Sequence, residues 1–206
     1  MPAPRPEPPL TAEETGRLRD VSRETIERLA VYLELLARWQ VTVNLVGGST
    51  LADPWRRHVL DSGQLWRFWP RGARRLVDLG SGAGLPGLVL AILGAPEAHL
   101  IESDRRKAAF LREAARATGT GGTVHACRIE AAPPLEAEVV TARALAPLSA
   151  LIGLAQRFIG PAGQCLFLKG RAVADELVEA RRYWRMTIET HPSLTDPESS
   201  ILLLRE

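Results

Sequence analysis

A glycine-rich segment has the residue types and spacing of a ligand-binding turn. It runs Val77-Asp-Leu-Gly-Ser-Gly-Ala-Gly-Leu-Pro-Gly87, with glycines at 80, 82 and 84 directly after an apolar run. Glycines permit a tight turn there and let a ligand approach the main chain closely. Pro86 suits the first turn of a following helix, where its missing N–H costs nothing. The segment therefore predicts a strand, a ligand-binding turn and a helix.

An acid follows the next apolar run and narrows the choice of ligand. The carboxylate of Glu102 could accept hydrogen bonds from both hydroxyls of a ribose. Gly82, Gly84 and Gly87 also fit the dinucleotide pattern GxGxxG, a weak signal alone, so an NAD-linked oxidoreductase stays an alternative. S-adenosyl-L-methionine is favoured because the glycines start at the strand end as GxGxG after Asp78. The Tyr and Lys pair of short-chain dehydrogenases, four residues apart, is also missing.

These residues need a parallel sheet to position them. From Arg75 onward, apolar strands alternate with helical segments, which predicts a Rossmann-like α/β fold with a mostly parallel seven-stranded sheet. The last two strands lie too close for a helical crossover and should form a hairpin, which places one antiparallel strand at the end of the sheet. Strands are expected at 76–79, 99–101, 123–127, 139–142, 165–168, 186–189 and 201–204, and helices at 86–93, 106–117, 147–160 and 173–183.

The first third of the chain has a helical pattern. Thr11-Ala-Glu-Glu14 has the form of a capping box, which indicates a helix start. Apolar residues then recur at spacings of three and four from Ile26 to Ala37, and a further helix is expected over 54–69. We predict three parts: a disordered Pro-rich tail (1–10), an N-terminal helical segment packed on the body (11–70) and a methyltransferase domain (71–206).

Composition limits the cellular setting. The formal net charge is +2, so the molecule is not a strongly basic nucleic-acid coat. Cys127 and Cys165 form no CxxC pair, so neither a zinc site nor a disulfide scaffold is expected and a reducing cytosol fits. The longest apolar run, 88–93, is far shorter than the ~20 residues that span a bilayer. We expect a cytoplasmic monomer without metal or membrane contact.

The acceptor of the methyl group follows by elimination. Enzymes that methylate exocyclic amines of bases usually carry an (Asn/Asp/Ser)-Pro-Pro-aromatic element after the fourth strand, where this chain has Thr141-Ala-Arg-Ala-Leu145. Carbon methylation of pyrimidines needs a nucleophilic cysteine, whereas Cys127 and Cys165 fit buried strand residues. An acceptor with a free lone pair remains, and guanine N7 is one. A methyltransferase for a small molecule and a binding protein without transfer stay alternatives.

Several further segments carry a family resemblance. The chain resembles the glucose-inhibited division protein B family, whose members are guanine-N7 methyltransferases of small-subunit ribosomal RNA. The resemblance covers roughly residues 25–206 and implies 16S ribosomal RNA, or the small ribosomal subunit, as partner. The matching segments besides the glycine-rich one are Trp39 with Asn44-Leu45, Arg57-His-Val-Leu-Asp-Ser62, Arg128-Ile-Glu130, Val139-Val-Thr-Ala-Arg-Ala144 and Leu168-Lys-Gly170.

The resemblance implies roles for individual residues. It makes Arg143 a residue of the cofactor or substrate pocket, and Arg128 and Lys169 cations of the active site or of the RNA contact. Glu138 and Leu145 depart from the family pattern, which usually has Asp and Phe there, so residue 145 has no ring that could stack on a base. Together with the turn, the predicted site has cofactor contacts at Gly80, Gly82, Gly84, Leu85, Glu102, Ile129, Glu130 and Arg143, catalytic residues Arg143 and Lys169, and RNA contacts at Asn44, His58 and Arg128.

The charges of the predicted site raise a question of balance. Arg143 and Lys169 both follow inner strands, so they should face one cleft. Two cations beside a cationic donor need a negative partner, which an RNA phosphate would supply; an ion pair with a helix acid is the alternative for Arg143. His58 and Asp61 are three apart on a predicted helix and could face this cleft, with a structural hydrogen bond favoured over proton transfer.

Overall fold

The computed structural model of the chain describes residues 8–19 and 21–205. Most of the predicted tail over 1–10 lies outside the described residues. In the rest of the chain, the helices are α1 (Ala12–Arg19), α2 (Arg23–Gln40), α3 (Asp61–Gly63), α4 (Gly87–Leu93), α5 (Arg105–Ala117), α6 (Leu148–Ala155) and α7 (Val173–Tyr183). The strands are β1 (Arg75–Leu79), β2 (Glu97–Ile101), β3 (Thr123–His125), β4 (Ala137–Arg143), β5 (Ile159–Lys169), β6 (Thr187–Pro192) and β7 (Ser200–Arg205).

The strands form one sheet in the order β3-β2-β1-β4-β5-β7-β6. The pairs from β3 to β5 are parallel, and β7 is antiparallel to both β5 and β6. The predicted fold class is thereby confirmed. One detail was wrong: the antiparallel strand lies one place from the edge, because the hairpin folds β7 back between β5 and β6.

Side chains alternate between two apolar layers. Leu76 and Val139 face one layer, which residues 65–69 and α4 cover, whereas Val77 and Val140 face the other, where α6 packs. Alternation of this kind follows from the two-residue period of a strand. The buried sheet thus leaves the carboxyl ends of its inner strands as the place where polar side chains can gather.

Helices before the sheet follow the predicted pattern with one departure. The Thr11 hydroxyl accepts a hydrogen bond from Glu14 N at 3.2 Å and the Glu14 carboxylate accepts one from Thr11 N at 2.8 Å, which confirms the capping box. The expected helix over 54–69 is not uniform, because it winds as a π-helix over Trp55–Leu60, as α3, and as a 3-10 helix over Gln64–Phe68. π-Helical turns are uncommon and concentrate at functional sites.

Two predicted boundaries near the site were wrong. β3 ends at His125, so Cys127 lies beyond the strand. The helix expected over 147–160 ends at Ala155, and β5 begins at Ile159 and includes Gly160 and Gly163. A Cβ at Gly163 would lie 2.7 Å from the carbonyl oxygen of Ala137, so this stretch of strand depends on glycine for its close pairing.

Candidate functional site

The glycine-rich turn leaves β1 with positive φ at alternate residues. Gly80, Gly82 and Gly84 have φ of +63°, +55° and +86°, values that L side chains rarely adopt. A Cβ at Gly80 would lie 2.6 Å from Leu145 Cδ1, and one at Gly84 would lie 2.7 Å from Leu88 Cβ. At Gly82 the nearest atom to such a Cβ is 3.8 Å away, so the main chain is bare on that side. This open cradle fits a ligand that approaches the main chain.

Glu102 follows β2 and contacts the turn. Its Oε2 accepts a hydrogen bond from Gly82 N at 2.8 Å, and its Oε1 accepts one from Asp104 N at 2.7 Å. Each carboxylate oxygen has two acceptor positions, so one on each oxygen is left for ribose hydroxyls. Asp104, rather than Glu102, caps α5, because its side chain accepts from Arg106 N. Glu102 is therefore placed as a carboxylate of the turn rather than as a helix cap.

Asp78, on β1, packs against the end of the glycine-rich turn. Its carboxylate is buried and accepts a 2.6 Å hydrogen bond from the Thr141 hydroxyl, and Oδ2 has no hydrogen-bond partner in the described residues. Burial raises the pKa of Asp78 to about 6. A Cβ at Gly87 would lie 2.4 Å from Asp78 Cβ, so only glycine fits at the start of α4. Asp78 thus contributes to the site by packing under the turn, and not by lining the cavity.

The N-terminal helices also reach the turn. The hydroxyl of Tyr32 on α2 donates a 2.8 Å hydrogen bond to the carbonyl oxygen of Ala83, and Tyr32 is fully buried. Its ring packs against Phe110 on α5, with ring centroids 6.3 Å apart. A helix from the first third of the chain therefore fixes one carbonyl group of the cofactor turn.

A cavity of about 810 Å³ lies at the carboxyl ends of β4 and β5. Leu145 connects it to the turn, since this side chain both lines the cavity and lies against Gly80. Its walls carry cations and acids from four separate parts of the chain: Arg57, Asp61, Arg143, Lys169, Arg171, Glu176 and Asp196.

Arg143, at the end of β4, is held by the 55–63 helical region. Its Nη1 donates to Asp61 Oδ2 at 2.9 Å and to the carbonyl oxygen of Arg57 at 3.2 Å. The Asp61 N–H bonds to the carbonyls of Arg56 and His58 and skips that of Arg57, as the π-helical winding allows. The distorted turn thus presents both a carboxylate and a carbonyl to one guanidinium nitrogen.

Lys169, at the end of β5, is paired in a similar way. Its Nζ lies 2.5 Å from Glu176 Oε2 and donates to the carbonyl oxygen of Ala146 at 2.8 Å. The same Glu176 oxygen accepts from Leu148 N at 2.7 Å and so caps α6 from α7. The sequence argument favoured an RNA phosphate as the compensating charge and kept an ion pair with a helix acid as the alternative for Arg143. In the structure Asp61 and Glu176 supply the charge, so for Arg143 the alternative is the one observed. The expectation that Arg143 and Lys169 face one cleft is confirmed.

His58 is a buried part of the cavity wall. Only 1% of the residue is exposed, and its Nε2 lies 3.1 Å from the Thr50 hydroxyl. That hydroxyl donates to the carbonyl oxygen of Gly47 at 2.6 Å, so it accepts from His58. Burial, with the nearby Arg143 and Arg57, lowers the pKa of His58 to about 4, so the ring is neutral at pH 7. His58 therefore makes its hydrogen bond to Thr50, whereas Asp61, which the sequence placed beside it, bonds to Arg143.

Other predicted contacts lie outside the cavity wall. Ile129 and Glu130 follow β3 in a short 3-10 turn; Ile129 is buried and Glu130 is exposed. Arg128 and Asn44 are exposed and do not line the cavity, although Leu45, next to Asn44, does. The described structure therefore brings Arg143, Lys169 and His58 together and leaves Arg128 apart from them.

Sequence reasoning missed four residues of this site. Glu176 and Asp196, and Thr195, whose hydroxyl donates to Asp61, were not singled out, because nothing near them in the chain indicates a partner. Tyr32 was also missed, although a tyrosine within the apolar stripe of a helix needs a hydrogen-bond partner for its hydroxyl. That requirement was the one available signal.

Three other features of the described residues would indicate a different function: a metal site, a reactive cysteine and a membrane-spanning helix. In residues 8–19 and 21–205, no group of three or more His, Cys, Asp or Glu could hold a metal ion. Burial raises the pKa of the Cys165 thiol to about 12, which makes it a poor nucleophile. No helix in the same ranges combines the length and apolarity needed to cross a membrane.

The sheet order and the position of the turn are those of the class I methyltransferase fold. Ribosomal protein L11 methylase from Lactobacillus delbrueckii subsp. bulgaricus has a similar fold, with a TM-score of 0.61 at 15% identity over 70% of this chain and 76% of that one. The 16S rRNA methyltransferase RsmC of T. thermophilus, in complex with AdoMet and guanosine, has a TM-score of 0.51 at 16% identity over 71% of this chain and 38% of that one.

Sequence comparison gives the particular family. The GidB model, described as rRNA small subunit methyltransferase G, matches residues 25–200. Ribosomal RNA small subunit methyltransferase G of Rhodospirillum centenum is 58% identical over 201 residues, which cover 98% of this chain and 93% of the relative. The chain therefore belongs to the GidB family of rRNA small subunit methyltransferases. The predicted family, enzyme class and cofactor are confirmed.

Proposed function

We propose that this chain transfers a methyl group from S-adenosyl-L-methionine to N7 of a guanine in 16S ribosomal RNA. One observation carries the choice of N7: the titratable groups that line the cavity are already engaged. Asp61 pairs with Arg143, Glu176 with Lys169 and Asp196 with Arg57 at 3.6 Å.

An acceptor that needs deprotonation requires a free base within hydrogen-bond reach. The three carboxylates are in ion pairs, and His58 is a weak base because its pKa is about 4. Guanine N7 carries a lone pair and no proton, so it suits a cavity whose main task is to align the base with the methyl group of the cofactor. This argument favours N7 over an exocyclic amine.

The turn and its neighbours hold the cofactor in this proposal. Bound S-adenosyl-L-methionine supplies an electrophilic methyl group on a sulfonium. The open main chain at Gly82 receives the ligand, and Glu102 accepts from the ribose hydroxyls. The full set of proposed cofactor contacts is Gly80, Gly82, Gly84, Leu85, Glu102, Ile129, Glu130 and Arg143.

Arg143 and Lys169 are the proposed catalytic residues. Both line the cavity beside the turn, where their remaining N–H groups could donate to a guanine O6 or a phosphate oxygen. Arg128 and Asn44 are proposed RNA contacts on the exposed rim. For His58 we propose a supporting role, in which it fixes Thr50 and the segment that contains Gly47 and borders the cavity.

The remaining proposals concern the whole molecule. We propose that it acts as a monomer in the cytoplasm, without a metal ion, on rRNA or on the small subunit. We also propose a division into an N-terminal helical segment (11–70) and a methyltransferase domain (71–206). The contacts of Tyr32 and Asp61 with the second part support a segment that completes the site.

Mapping of the modified nucleotide tests the proposal. Small subunits and 16S rRNA that lack the modification are incubated with the protein and cofactor, and N7-methylguanine is located by reduction and aniline cleavage. We expect one guanine to be cleaved. Methylation of a metabolite alone, or of an exocyclic amine, would contradict the proposal.

Arg143→Ala tests the catalytic assignment. We expect kcat to fall about 100-fold, as for loss of one preorganised donor, while cofactor binding by calorimetry changes far less. Arg74→Ala is the matched control, because Arg74 is exposed just before β1, at the amino ends of the parallel strands and away from the cavity. A kcat for Arg143→Ala close to that of Arg74→Ala would remove Arg143 from the catalytic residues.

A further inference from the structure

The segment between β6 and β7, residues 193–199, is bonded to the acid that holds Arg143. The Thr195 hydroxyl donates to Asp61 Oδ1 at 2.5 Å, and Gln64 Nε2 donates to the same oxygen at 3.1 Å. The other oxygen of Asp61 accepts from Arg143 Nη1. One carboxylate therefore has Arg143 on one oxygen and two fixed donors on the other.

Gln64 is a rigid part of this arrangement. It is fully buried, its Nε2 also donates to the Ser193 hydroxyl at 3.0 Å, and its Oε1 accepts from Leu194 N at 2.8 Å. The Ser193 hydroxyl in turn accepts from Thr195 N at 3.2 Å. Thr195 is thus held in place by a buried amide from the 64–68 turn.

We propose that Thr195 is a positioning residue for methyl transfer, acting through Asp61 on Arg143. This proposal rests on the proposed function, in which Arg143 contacts the reacting groups. The hydroxyl hydrogen bond fixes the rotation of the Asp61 carboxylate, and that rotation sets where Oδ2 lies and therefore where the guanidinium lies. Residues that orient a catalytic group in this way commonly decide whether it is placed well enough to act.

The charge balance of the cavity supports the same role. With the Thr195 hydroxyl donating to Oδ1, Oδ2 is the oxygen left for Arg143. Without that donor, only Gln64 Nε2 remains on Oδ1. The acceptor position that becomes free on Oδ1 then competes for the guanidinium, and Arg143 gains a second position. Asp196, in the same segment, pairs with Arg57 at 3.6 Å, so a second ion pair joins residues 193–199 to the 55–63 helical region.

Paired substitutions at Thr195 test the proposal. Thr195→Val keeps the shape and removes the donor, and we expect kcat to fall about tenfold, the value of one hydrogen bond to a charged group. Thr195→Ser restores the donor and should recover most of the lost turnover. The Kd for S-adenosyl-L-methionine, measured by calorimetry, should stay within twofold in both variants. Thr190→Val, on the exposed side of β6, is the matched control.

A double-mutant cycle separates positioning from general stability. In an Asp61→Asn background, Thr195→Val should lower kcat less than twofold, because the carboxylate it orients is gone. Melting temperatures of all variants are measured alongside. A loss of stability alone would leave the two effects on kcat additive, whereas positioning through Asp61 makes them non-additive. Additive effects, a normal kcat for Thr195→Val, or equal losses for Thr195→Val and Thr195→Ser would each overturn the proposal.

Arg143→Ala keeps the two levels of inference apart. If Arg143→Ala retains normal turnover, the proposed role of Arg143 fails whatever Thr195 does. If Arg143→Ala is inactive while Thr195→Val turns over normally, the proposed function stands and the role of Thr195 alone is refuted.

Discussion

The glycine-rich turn is held by main-chain hydrogen bonds, whereas the cavity beside it is walled by pairs of opposite charges. Within the turn, Gly84 N donates to the carbonyl of Ser81 at 2.7 Å, and Ser81 N to that of Ile101 at 2.9 Å. In the cavity, Arg143 and Lys169 each meet a carboxylate from another element. The turn is formed by one contiguous segment that receives single hydrogen bonds from elsewhere, whereas the cavity wall is assembled from several distant segments of the chain.

This difference determines how each region responds to substitution. A turn built from main-chain groups depends first on φ and on the space above glycine, and the side chains of Tyr32 and Glu102 add single hydrogen bonds to it. A wall of charge pairs depends on each partner, because removal of one leaves the other uncompensated in a partly buried place. Single substitutions should therefore separate cofactor binding from turnover.

Gly82 gives the most severe test of the turn. A side chain at Gly82 fills the open cradle at φ +55°, so Gly82→Val should leave no detectable binding of S-adenosyl-L-methionine by calorimetry. Gly72→Val is a close control, because Gly72 has φ +78° and no atom within 4 Å of an added Cβ, but lies before β1. It carries comparable backbone strain and should bind normally. Normal binding by Gly82→Val would show that the cofactor lies elsewhere.

Acid titration tests the cavity wall at His58. The folded-state pKa of about 4 is below the ordinary 6.5, so the unfolded chain binds more protons between these values. The stabilisation by neutral His58 is complete above pH 6.5 and is lost as the pH falls toward 4, by up to about 3 kcal/mol. Urea unfolding at several pH values should show the wild type losing this much relative to His58→Gln. Parallel pH profiles of the two proteins would contradict a buried neutral ring.

Tyr32 connects the helical segment to the turn and gives the smallest effect. Tyr32→Phe leaves the buried carbonyl of Ala83 without its 2.8 Å hydrogen bond, which should cost about 1 kcal/mol of unfolding free energy. Because the turn loosens, we also expect severalfold weaker cofactor binding with kcat unchanged at saturation. Tyr183→Phe, at a residue 68% exposed, should change neither. A loss in kcat instead would mean that turn and cavity are not separable here.

The same contrast explains which parts the sequence could predict. The turn was predictable because its strand, glycines and helix start are contiguous from Val77 to Gly87. The partner of Arg143 was not, because Asp61 lies 82 residues away, and Thr195 lies 134 residues from Asp61. Only the packing of the helical region on β4, with its π-helical winding, brings these groups together.

Secondary structure failed where tertiary contacts override local preference. Gly160 was expected to end a helix, but it belongs to β5 together with Gly163, where close approach to the Ala137 carbonyl requires a bare Cα. The uniform helix expected over 54–69 failed for a related reason, since its apolar spacing is the same whether the turn closes as an α-helix or as a π-helix.

The ion pairs of the cavity also have a consequence for the ionic-strength dependence of RNA association. Arg57, Arg143, Lys169 and Arg171 each have a carboxylate partner, the last in Glu198 at 2.9 Å. Because these cations are already paired, the cavity has little net positive potential. A nucleotide that binds there therefore releases few counterions from its phosphates. We therefore expect any steep dependence of RNA binding on salt to come from arginines outside the cavity, and the cavity itself to admit its guanine almost independently of salt.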